Sequence, residues 1–368
     1  MLALNAGSSS IKFALFAQVS GMQPKLISKG QVEGVGTAPH FTARDATGGT
    51  LADEHWTDAG AGHHVVLPQL LAWVEAHLGG NQVLAVGHRV VHGGRDFTAP
   101  VLLTPEIVSA LDKLAHLAPL HQPHCLEPVR ALMEMRPGLP QVACFDTAFH
   151  HTLPRVATRF ALPREYEAQG VRRYGFHGLS YEYIARTLRK MVPKLASGRV
   201  VVAHLGNGAS LCAMQDCISV DTTMGFTALD GLMMGTRCGT IDAGVVLYML
   251  QQKGLDAHQV EDVLYRQSGL LGVSGISADM RTLLASSTDA AREAVELFVF
   301  RIARETAALA ASMGGIDGFV FTGGIGEHAA EIRKKVTDAL RWMGPIDIRT
   351  IATDEEAMIA IHTVECLG

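Results

Sequence analysis

Two similar turns of small residues, each between apolar segments, are the feature that most constrains the fold of this chain. The first reads Leu-Asn-Ala-Gly-Ser-Ser over residues 4–9, and the second reads Leu-Gly-Asn-Gly-Ala-Ser over residues 205–210. Such turns are common, so chance is one explanation of the similarity. The other explanation is a duplicated α/β domain, in which both copies present a phosphate-binding hairpin to one cleft.

The length and composition agree with a duplication. The 368 residues exceed what one compact core needs and suit two domains. Hydrophobic residues make up 48% of the chain and charged residues 18%, so the chain has enough apolar residues to form buried sheets. The net charge of −5 argues against a nucleic-acid or acidic-membrane partner, because both require a basic face.

The sequence also favours a cytoplasmic protein. The first residues lack the basic segment and apolar stretch of a signal peptide. No apolar, uncharged run reaches the ~18 residues of a membrane span. None of the six cysteines forms a Cys-x-x-Cys pair, so we expect reduced and mostly buried thiols.

Periodicity predicts alternating strands and helices around the two turns. Strands are expected at residues 1–4, 11–16, 83–87, 141–145, 199–205, 210–214, 317–321 and 346–351. Helices are expected at 65–78, 105–117, 126–135, 242–252, 258–266, 288–313 and 329–343, and from about 353, with a turn at 323–326. Residues 20–64 show no clear pattern.

The first turn has the composition of an anion site. Backbone N–H groups of a tight turn point outward and form an anion-binding nest. The hydroxyls of Ser8, Ser9 and Ser10 and the charge of Lys12 add to it. The alternative is an ordinary solvated hairpin.

Arg89 lies between an apolar strand and the pair Gly93-Gly94. Its planar fork suits a carboxylate or a phosphate. His88 and His92 are four residues apart, as metal ligands on a helix would be. The surrounding glycines and β-branched residues favour a strand, and the chain lacks His-Glu-x-x-His, so a zinc site is disfavoured.

Asp146 follows the predicted strand 141–145. At that end of a strand in an α/β sheet, a carboxylate usually faces the ligand crevice, where it holds Mg²⁺ directly or through water. A helix N-cap is the equal alternative.

His177 lies in the Gly-rich loop 172–178, where a histidine is unlikely to fill a core. A second Gly-rich loop ends on Arg237.

Gly324, Gly326 and Ala329 match a dinucleotide fingerprint with the alanine variant. Too few residues follow for the rest of a doubly wound domain, so a nucleotide-contacting turn without NAD is the better interpretation. The chain has no G-x-x-x-x-G-K-[ST] sequence and is therefore not a P-loop enzyme.

In their order along the chain, these segments resemble the acetate kinase family, part of the superfamily of acetate and sugar kinases, heat-shock chaperones and actin. The matching segments are residues 5–13, 87–94, 117–121, 145–150, 174–178, 204–208, 221–237, 274–277, 323–327 and 353–356. Each segment alone is weak evidence, whereas the ordered set is specific.

The resemblance implies an α/β chain of two ribonuclease-H-like (actin-like ATPase) domains with an interdomain cleft. The N-terminal domain would comprise residues 1–147 plus 354–368. The C-terminal domain, residues 148–353, would bind the nucleotide and form a homodimer. The implied cofactors are ATP or ADP and Mg²⁺, with Mn²⁺ as an alternative.

The resemblance also implies a role for each matching residue. Asn5 and Glu355 would organise the metal, with Asp146 nearby. Ser8, Ser10, Lys12, His177 and His121 would lie around the transferring phosphoryl group, Arg89 and Arg237 would hold the substrate carboxylate and the transition state, and Val91, Leu120 and Phe176 would line the methyl pocket. The nucleotide contacts would be His204, Leu205, Gly206, Asn207, Gly208, Asp279, Met280, Arg281, Gly323, Gly324, Ile325, Gly326 and Glu327.

The implied reaction is reversible phosphoryl transfer from ATP to acetate. A propionate- or butyrate-preferring kinase is the alternative, because Ala228 replaces an expected proline in the loop beside the acyl pocket. An ATP-binding module with a conformational output is a different class, and the paired arginines and His177 argue against it. An NAD dehydrogenase is the least favoured interpretation.

Overall fold

The computed structural model describes residues 1–7, 9–18, 23–56, 62–119 and 121–368. Contacts along the chain group into two compact units. Unit 1 comprises Met1–Ala148 and Asp354–Gly368, and unit 2 comprises Phe149–Thr353. The predicted roles of Ser8 and Leu120 lie outside the described residues.

Unit 1 is built on one mixed sheet. Its strands are β1 (Leu2–Ala6), β2 (Ser10–Ala17), β3 (Lys25–Glu33), β4 (His40–Asp45), β5 (Thr50–His55), β6 (Val86–Val90), β7 (Val101–Leu102) and β8 (Gln141–Phe145). Their order across the sheet is β5-β4-β3-β2-β1-β6-β8-β7. The hairpin β1–β2 is antiparallel, whereas β6 runs parallel to both β1 and β8.

Strands β3, β4 and β5 form an antiparallel extension that the sequence did not predict. Few of their side chains are buried, chiefly Val32, Phe41 and Ala43. A strand with one largely solvated face and many charged residues gives only weak hydrophobic periodicity, and this explains the missed assignment.

Unit 2 contains a smaller sheet with a related plan. Its strands are β9 (Arg199–Leu205), β10 (Ala209–Gln215), β11 (Ile218–Thr222), β12 (Gly318–Thr322) and β13 (Asp347–Thr350). Their order is β11-β10-β9-β12-β13, with the first three antiparallel and the last two parallel to β9. The segment β3-β2-β1-β6-β8 of unit 1 has the same order and directions, so each predicted turn occupies the equivalent position in its own sheet.

The helices cover the sheets. They are α1 (His63–Ala76), α2 (Pro105–Asp112), α3 (Gln122–Met135), α4 (Arg155–Thr158), α5 (Arg164–Ala168), α6 (Gly178–Met191), α7 (Pro193–Ala196), α8 (Ala243–Gln251), α9 (Ala257–Arg266), α10 (Gly269–Ser274), α11 (Met280–Ala285), α12 (Asp289–Met313), α13 (Gly323–His328), α14 (Ala330–Leu340) and α15 (Glu355–Leu367), with short 3₁₀ turns at Ala115–Leu117, Ala148–His150 and Arg341–Met343. Within the described ranges, no helix has the length and apolar character needed to cross a bilayer.

Several predicted element boundaries were wrong, and the strand expected over 83–87 is β6 at Val86–Val90. The helix expected over 105–117 ends at Asp112, and a 3₁₀ turn follows it. The expected turn at 323–326 is the short helix α13. Only Gly323 has the positive φ of a turn, 76°, and the residues after it close one helical turn. Local composition did not distinguish a glycine-rich turn from a glycine-rich helix start.

A close approach in unit 1 brings the end of the chain onto the sheet. A Cβ atom on Gly87 in β6 would lie 2.2 Å from Thr363 Oγ1 and 2.4 Å from Ile359 Cγ2 of α15. The absence of a side chain at Gly87 therefore allows α15 to pack directly on β6. This contact holds the helix whose first residue is Glu355.

Candidate active site

In unit 1, an arginine and an aspartate meet at the carboxyl ends of two parallel strands. Arg89 lies near the end of β6, and Asp146 directly follows the neighbouring β8. The guanidinium donates from Nε to Asp146 Oδ1 (3.1 Å) and from Nη2 to Oδ2 (2.5 Å), and from Nη1 to Asn5 Oδ1 (3.2 Å). Asp146 is buried, so this bidentate pair is a fixed part of the site.

Glu355 joins this group from the far end of the sequence. It opens α15, whose preceding residue Asp354 caps the helix by accepting from Ala357 N at 2.8 Å. Asn5 Nδ2 donates to Glu355 Oε2 at 3.4 Å. Burial raises the pKa of Glu355, Arg89 opposes the rise, and Asp146 adds to it. Lys12 is paired in register with Asn5, and its charge also favours the ionised carboxylate.

These unit 1 groups suit a divalent cation. Asn5, Asp146 and Glu355 supply oxygen atoms, the ligands that hard cations such as Mg²⁺ prefer. Asp146 raises the pKa of the half-buried Glu355, so added positive charge nearby would favour the ionised Glu355 carboxylate. The residues present therefore fit the metal that the resemblance implies.

The other predicted site residues of unit 1 lie at several different positions in its fold. Ser10 begins β2, and the side chain of Lys12 is exposed. His121 occupies the N-cap position of α3, while Val91 is buried beyond the end of β6. His88 is a core residue whose Nε2 lies 2.8 Å from Gln141 Oε1, and burial lowers its pKa to about 4.

In unit 2, His177 lies in a strained and well-connected position. It precedes α6 with a left-handed φ of 60°, which a non-glycine residue rarely adopts. Its Nδ1 is 2.8 Å from Ser210 Oγ, and Tyr181 Oη is 2.5 Å from the same hydroxyl. The ring stacks on His204 at a centroid distance of 4.3 Å. Burial keeps the pKa of Tyr181 well above its usual value, so its hydroxyl is protonated at neutral pH.

The second turn depends on two glycine contacts. Gly235 N donates to Asn207 O at 3.0 Å, and a Cβ on Gly235 would lie 2.0 Å from Asn207 Oδ1. A Cβ on Gly208 would lie 3.3 Å from His177 Nε2. Both glycines therefore leave room beside the turn, and the absence of a side chain at Gly208 makes room for the ring of His177.

A cavity of about 610 Å³ adjoins this turn. Of the predicted nucleotide contacts, its wall contains Gly206, Asn207, Asp279, Met280, Arg281, Gly324 and Ile325. The wall does not include the predicted contacts His204, Leu205, Gly208, Gly323, Gly326 and Glu327. The volume lies within the roughly 300–1,000 Å³ of ordinary small-molecule sites.

Two of the predicted nucleotide contacts have structural duties. Asp279 caps α11 by accepting from Arg281 N at 2.8 Å, and it also pairs with the exposed Arg281 guanidinium at 2.6 Å. Glu327 Oε1 accepts from Gly323 N at 3.0 Å and from Thr353 N at 3.2 Å, which ties α13 to the segment before α15.

Arg237 is held beside the loop that contains Ala228. Its Nη1 donates to Ala228 O at 3.0 Å and lies 3.8 Å from Met234 Sδ. Phe176 is buried within unit 2. The arginine that the resemblance assigns to the transition state is thus anchored by the backbone of the variant loop.

Sequence reasoning missed several residues of the unit 2 site. Ser210 and Tyr181 support His177, and Ala278, Leu284 and His328 belong to the cavity wall, as does Ala329 of the expected nucleotide-contacting turn. Leu284 is four residues after Met280 on α11, so a helical projection from Met280 would have found it. Tyr181 gave no local signal, because its role depends on a strand that follows about thirty residues later.

Comparisons with known proteins match nearly the whole chain. The model of the acetokinase family matches residues 1–364. An acetate kinase of Rhodopseudomonas palustris is 54% identical, with 98% of this chain and 97% of that protein covered. An acetate kinase of Rhizobium meliloti is 45% identical, with 100% and 98% covered.

Solved structures agree. An acetate kinase from Porphyromonas gingivalis aligns with a TM-score of 0.89 and 33% identity, covering 100% of this chain and 99% of that one. A propionate kinase from Francisella tularensis aligns with a TM-score of 0.90 and 35% identity, covering 98% of each chain.

Proposed function

Because this chain belongs to the acetokinase family, we propose that it catalyses reversible phosphoryl transfer from ATP to acetate, giving acetyl phosphate and ADP. The predicted family and its fold of two ribonuclease-H-like domains are confirmed, as is the class of phosphotransferase with a carboxyl acceptor. We further propose that units 1 and 2 are the two domains, with the boundaries expected above.

The observation that supports the chemistry best is the geometry of Arg89. A guanidinium has five N–H groups, and three of those on Arg89 point at Asp146 and Asn5. The other two N–H groups have no hydrogen-bond partner among the described residues, and we assign them to a substrate carboxylate. Because Asp146 fixes the plane of the fork, those donors have a defined direction before substrate binds.

The residue types suit an anionic acceptor. A carboxylate is already ionised at neutral pH, so it attacks phosphorus without a general base. The remaining barrier comes from bringing two anions together, which positioning and charge neutralisation lower. We assign acetate binding to Arg89 and transition-state charge to Arg237, with Lys12 as a further cation beside the phosphoryl group.

His177 is suited to donate a hydrogen bond. We infer that Tyr181, held protonated by burial, donates to Ser210, whose own proton goes to Nδ1 of His177. In that arrangement a neutral imidazole carries its ring proton on Nε2, the nitrogen that faces Gly208. We assign this N–H group to an oxygen of the transferring phosphoryl group.

The family acts with a nucleotide and a divalent metal. We propose Mg²⁺, held by Asn5 and Glu355 with Asp146 nearby, to neutralise phosphate charge. We assign the nucleotide to the cavity of unit 2, whose size suits it. A homodimer is also proposed, because α8 is an apolar helix with no buried residue in the isolated chain.

The test is acyl phosphate formation trapped by hydroxylamine. Protein is incubated with ATP and Mg²⁺ and with acetate, propionate or butyrate separately. Hydroxamate that requires protein, ATP and metal together supports the proposal, and the rates rank the acids. Absence of product with all three acids, from protein that binds ATP, would reject it.

A propionate-preferring kinase is the second candidate, because Ala228 leaves more space than proline would. One methylene is worth only ~1–3 kcal/mol of discrimination, so both acids are expected to react. Ala228→Pro should shift the acetate-to-propionate ratio of kcat/KM towards acetate by up to about tenfold. An unchanged ratio would show that this loop does not set chain length.

A further inference from the structure

Three side chains with metal-ligating atoms converge in unit 1, outside the groups assigned to phosphoryl transfer. They are His63, the first residue of α1, and His124 and Glu127 of α3. Their candidate ligand atoms all lie within 4.8 Å of one another. His124 and Glu127 are three residues apart and therefore share one face of the helix.

The hydrogen bonding of His63 fixes which of its nitrogens faces the cluster. His63 Nε2 lies 2.9 Å from the carbonyl oxygen of Gly7, and a carbonyl only accepts, so Nε2 carries a proton. Nδ1 then faces Glu127 Oε2 at 3.3 Å. In a neutral imidazole both of these atoms are acceptors, and their approach requires a cation between or beside them, or a second proton on the ring.

The hydrogen bond from His63 to the backbone resembles those that orient histidine ligands in known metal sites. A ligating histidine usually donates its other ring N–H to a backbone carbonyl or carboxylate, which orients the ring. Gly7 O plays that part for His63, and the buried position of His63 restricts its ring. Ligand atoms 2.0–2.2 Å from a tetrahedral ion are roughly 3.3–3.6 Å apart, so small side-chain movements within the cluster suffice.

We propose that His63, His124 and Glu127 form a site for Zn²⁺ or a similar borderline transition-metal ion. Two imidazoles and one carboxylate are a zinc-type ligand set with one coordination position left for water. The ion would join α1, α3 and, through His63, the turn after β1. This site differs in kind from the all-oxygen group of Asn5, Asp146 and Glu355, which suits a hard cation.

The experiment uses Co²⁺ as a spectroscopic substitute. Full-length protein is stripped with a chelator, dialysed into excess Mg²⁺ to fill the oxygen site, and titrated with Co²⁺. One equivalent should produce the intense visible bands of tetrahedral Co²⁺, and Zn²⁺ should remove them because it binds such ligands more tightly. A hexacoordinate ion at the oxygen site would give only weak bands.

Conservative variants locate the binding. His124→Gln and Glu127→Gln should each raise the Co²⁺ dissociation constant at least ~100-fold, beyond the roughly 10–100-fold lost with an orienting residue. His64→Gln and Glu134→Gln, which change exposed neighbours on α1 and α3, should bind as the unaltered protein does. Circular dichroism of each variant establishes that it is folded.

Two results would overturn the site. The first is absence of tetrahedral bands in the unaltered protein, which would show that these side chains do not hold a tetrahedral ion. The second is the same dissociation constant in all four variants. Neither result depends on phosphoryl transfer, so the hydroxamate assay remains a separate test of the proposed function.

Discussion

The turn after β1 and the turn after β9 occupy equivalent positions in two sheets of the same core order, but their surroundings differ in charge. Near the first turn lie Arg89, Asp146, Glu355 and Lys12, which are ionisable and interact strongly. Beside the second turn, His177 bonds to the hydroxyl of Ser210, which also contacts the hydroxyl of Tyr181. A shared backbone plan therefore does not dictate shared chemistry, because distant segments supply the side chains around each turn.

The largest expected effect comes from a substitution of Arg89, near the first turn. Arg89→Lys keeps the charge but loses the bidentate fork, because one ammonium cannot bond both oxygens of Asp146 and also reach Asn5. We expect kcat/KM to fall ~10²–10³-fold, as for loss of one preorganised donor. Steady-state kinetics with acetate measure it.

Arg136→Lys is the matched control, because Arg136 forms an exposed pair with Glu75. Its kinetics should equal those of the unaltered enzyme. Near-normal kcat and KM in Arg89→Lys would show that the guanidinium of Arg89 does not bind the substrate carboxylate. The contrast between the two turns would then be weaker.

A substitution of His177, beside the second turn, is expected to give a smaller effect. His177→Gln replaces the ring by a flexible amide that is not oriented by Ser210, and we expect kcat to fall ~10²-fold with little change in the KM for ATP. His258→Gln, at an exposed position of α9, is the control. If the kcat of the unaltered enzyme rises as the pH falls, and the kcat of His177→Gln does not, His177 acts as a cation and the assignment is contradicted.

Buried histidines should make both units less stable in acid. Burial lowers the pKa of His88 and His92 in unit 1, and of His150 in unit 2, to about 4. The unfolded chain, with a histidine pKa near 6.5, takes up protons first as the pH falls. Stability is therefore complete above about pH 6.5 and is lost towards pH 4, by ~2 kcal/mol per histidine at pH 5.

Urea unfolding at pH 7.5 and pH 5 measures this loss. His88→Asn and His150→Asn should each lose ~2 kcal/mol less than the unaltered protein between these pH values. Equal losses in all three proteins would show that these histidines do not control acid unfolding.

Substitutions of one glycine in each sheet, Gly87 and Gly318, test how closely other elements pack on the two sheets. Gly87→Ala places a Cβ against Ile359 and Thr363 of α15, including a backbone oxygen at 3.2 Å, and should destabilise unit 1 by ~1–3 kcal/mol. Gly318→Ala in β12 meets only the flexible side chain of Leu195, at 2.5 Å from Cδ1, and should cost less. Thermal unfolding of both variants measures the difference, and equal costs would contradict the close packing of α15.

The sequence alone determined much of the framework. Apolar runs and small-residue turns predicted β1, β2, β8, β9, β10 and β12 close to their observed positions, because buried strands and tight turns have strong local signals. The ordered motifs identified the family. Weakly periodic strands β3–β5 and the glycine-rich start of α13 were missed, since local signals there are ambiguous.

Only the tertiary structure decided which side chains meet. It directs three donors of Arg89 to Asp146 and Asn5, brings Glu355 to Asn5 across 350 residues of sequence, and connects His177 with Ser210 and Tyr181. It likewise assembles His63, His124 and Glu127, which no spacing rule predicts. The physical reason is that periodicity reports the face a residue occupies, whereas partners across a sheet depend on strand order, register and the helix that packs on them.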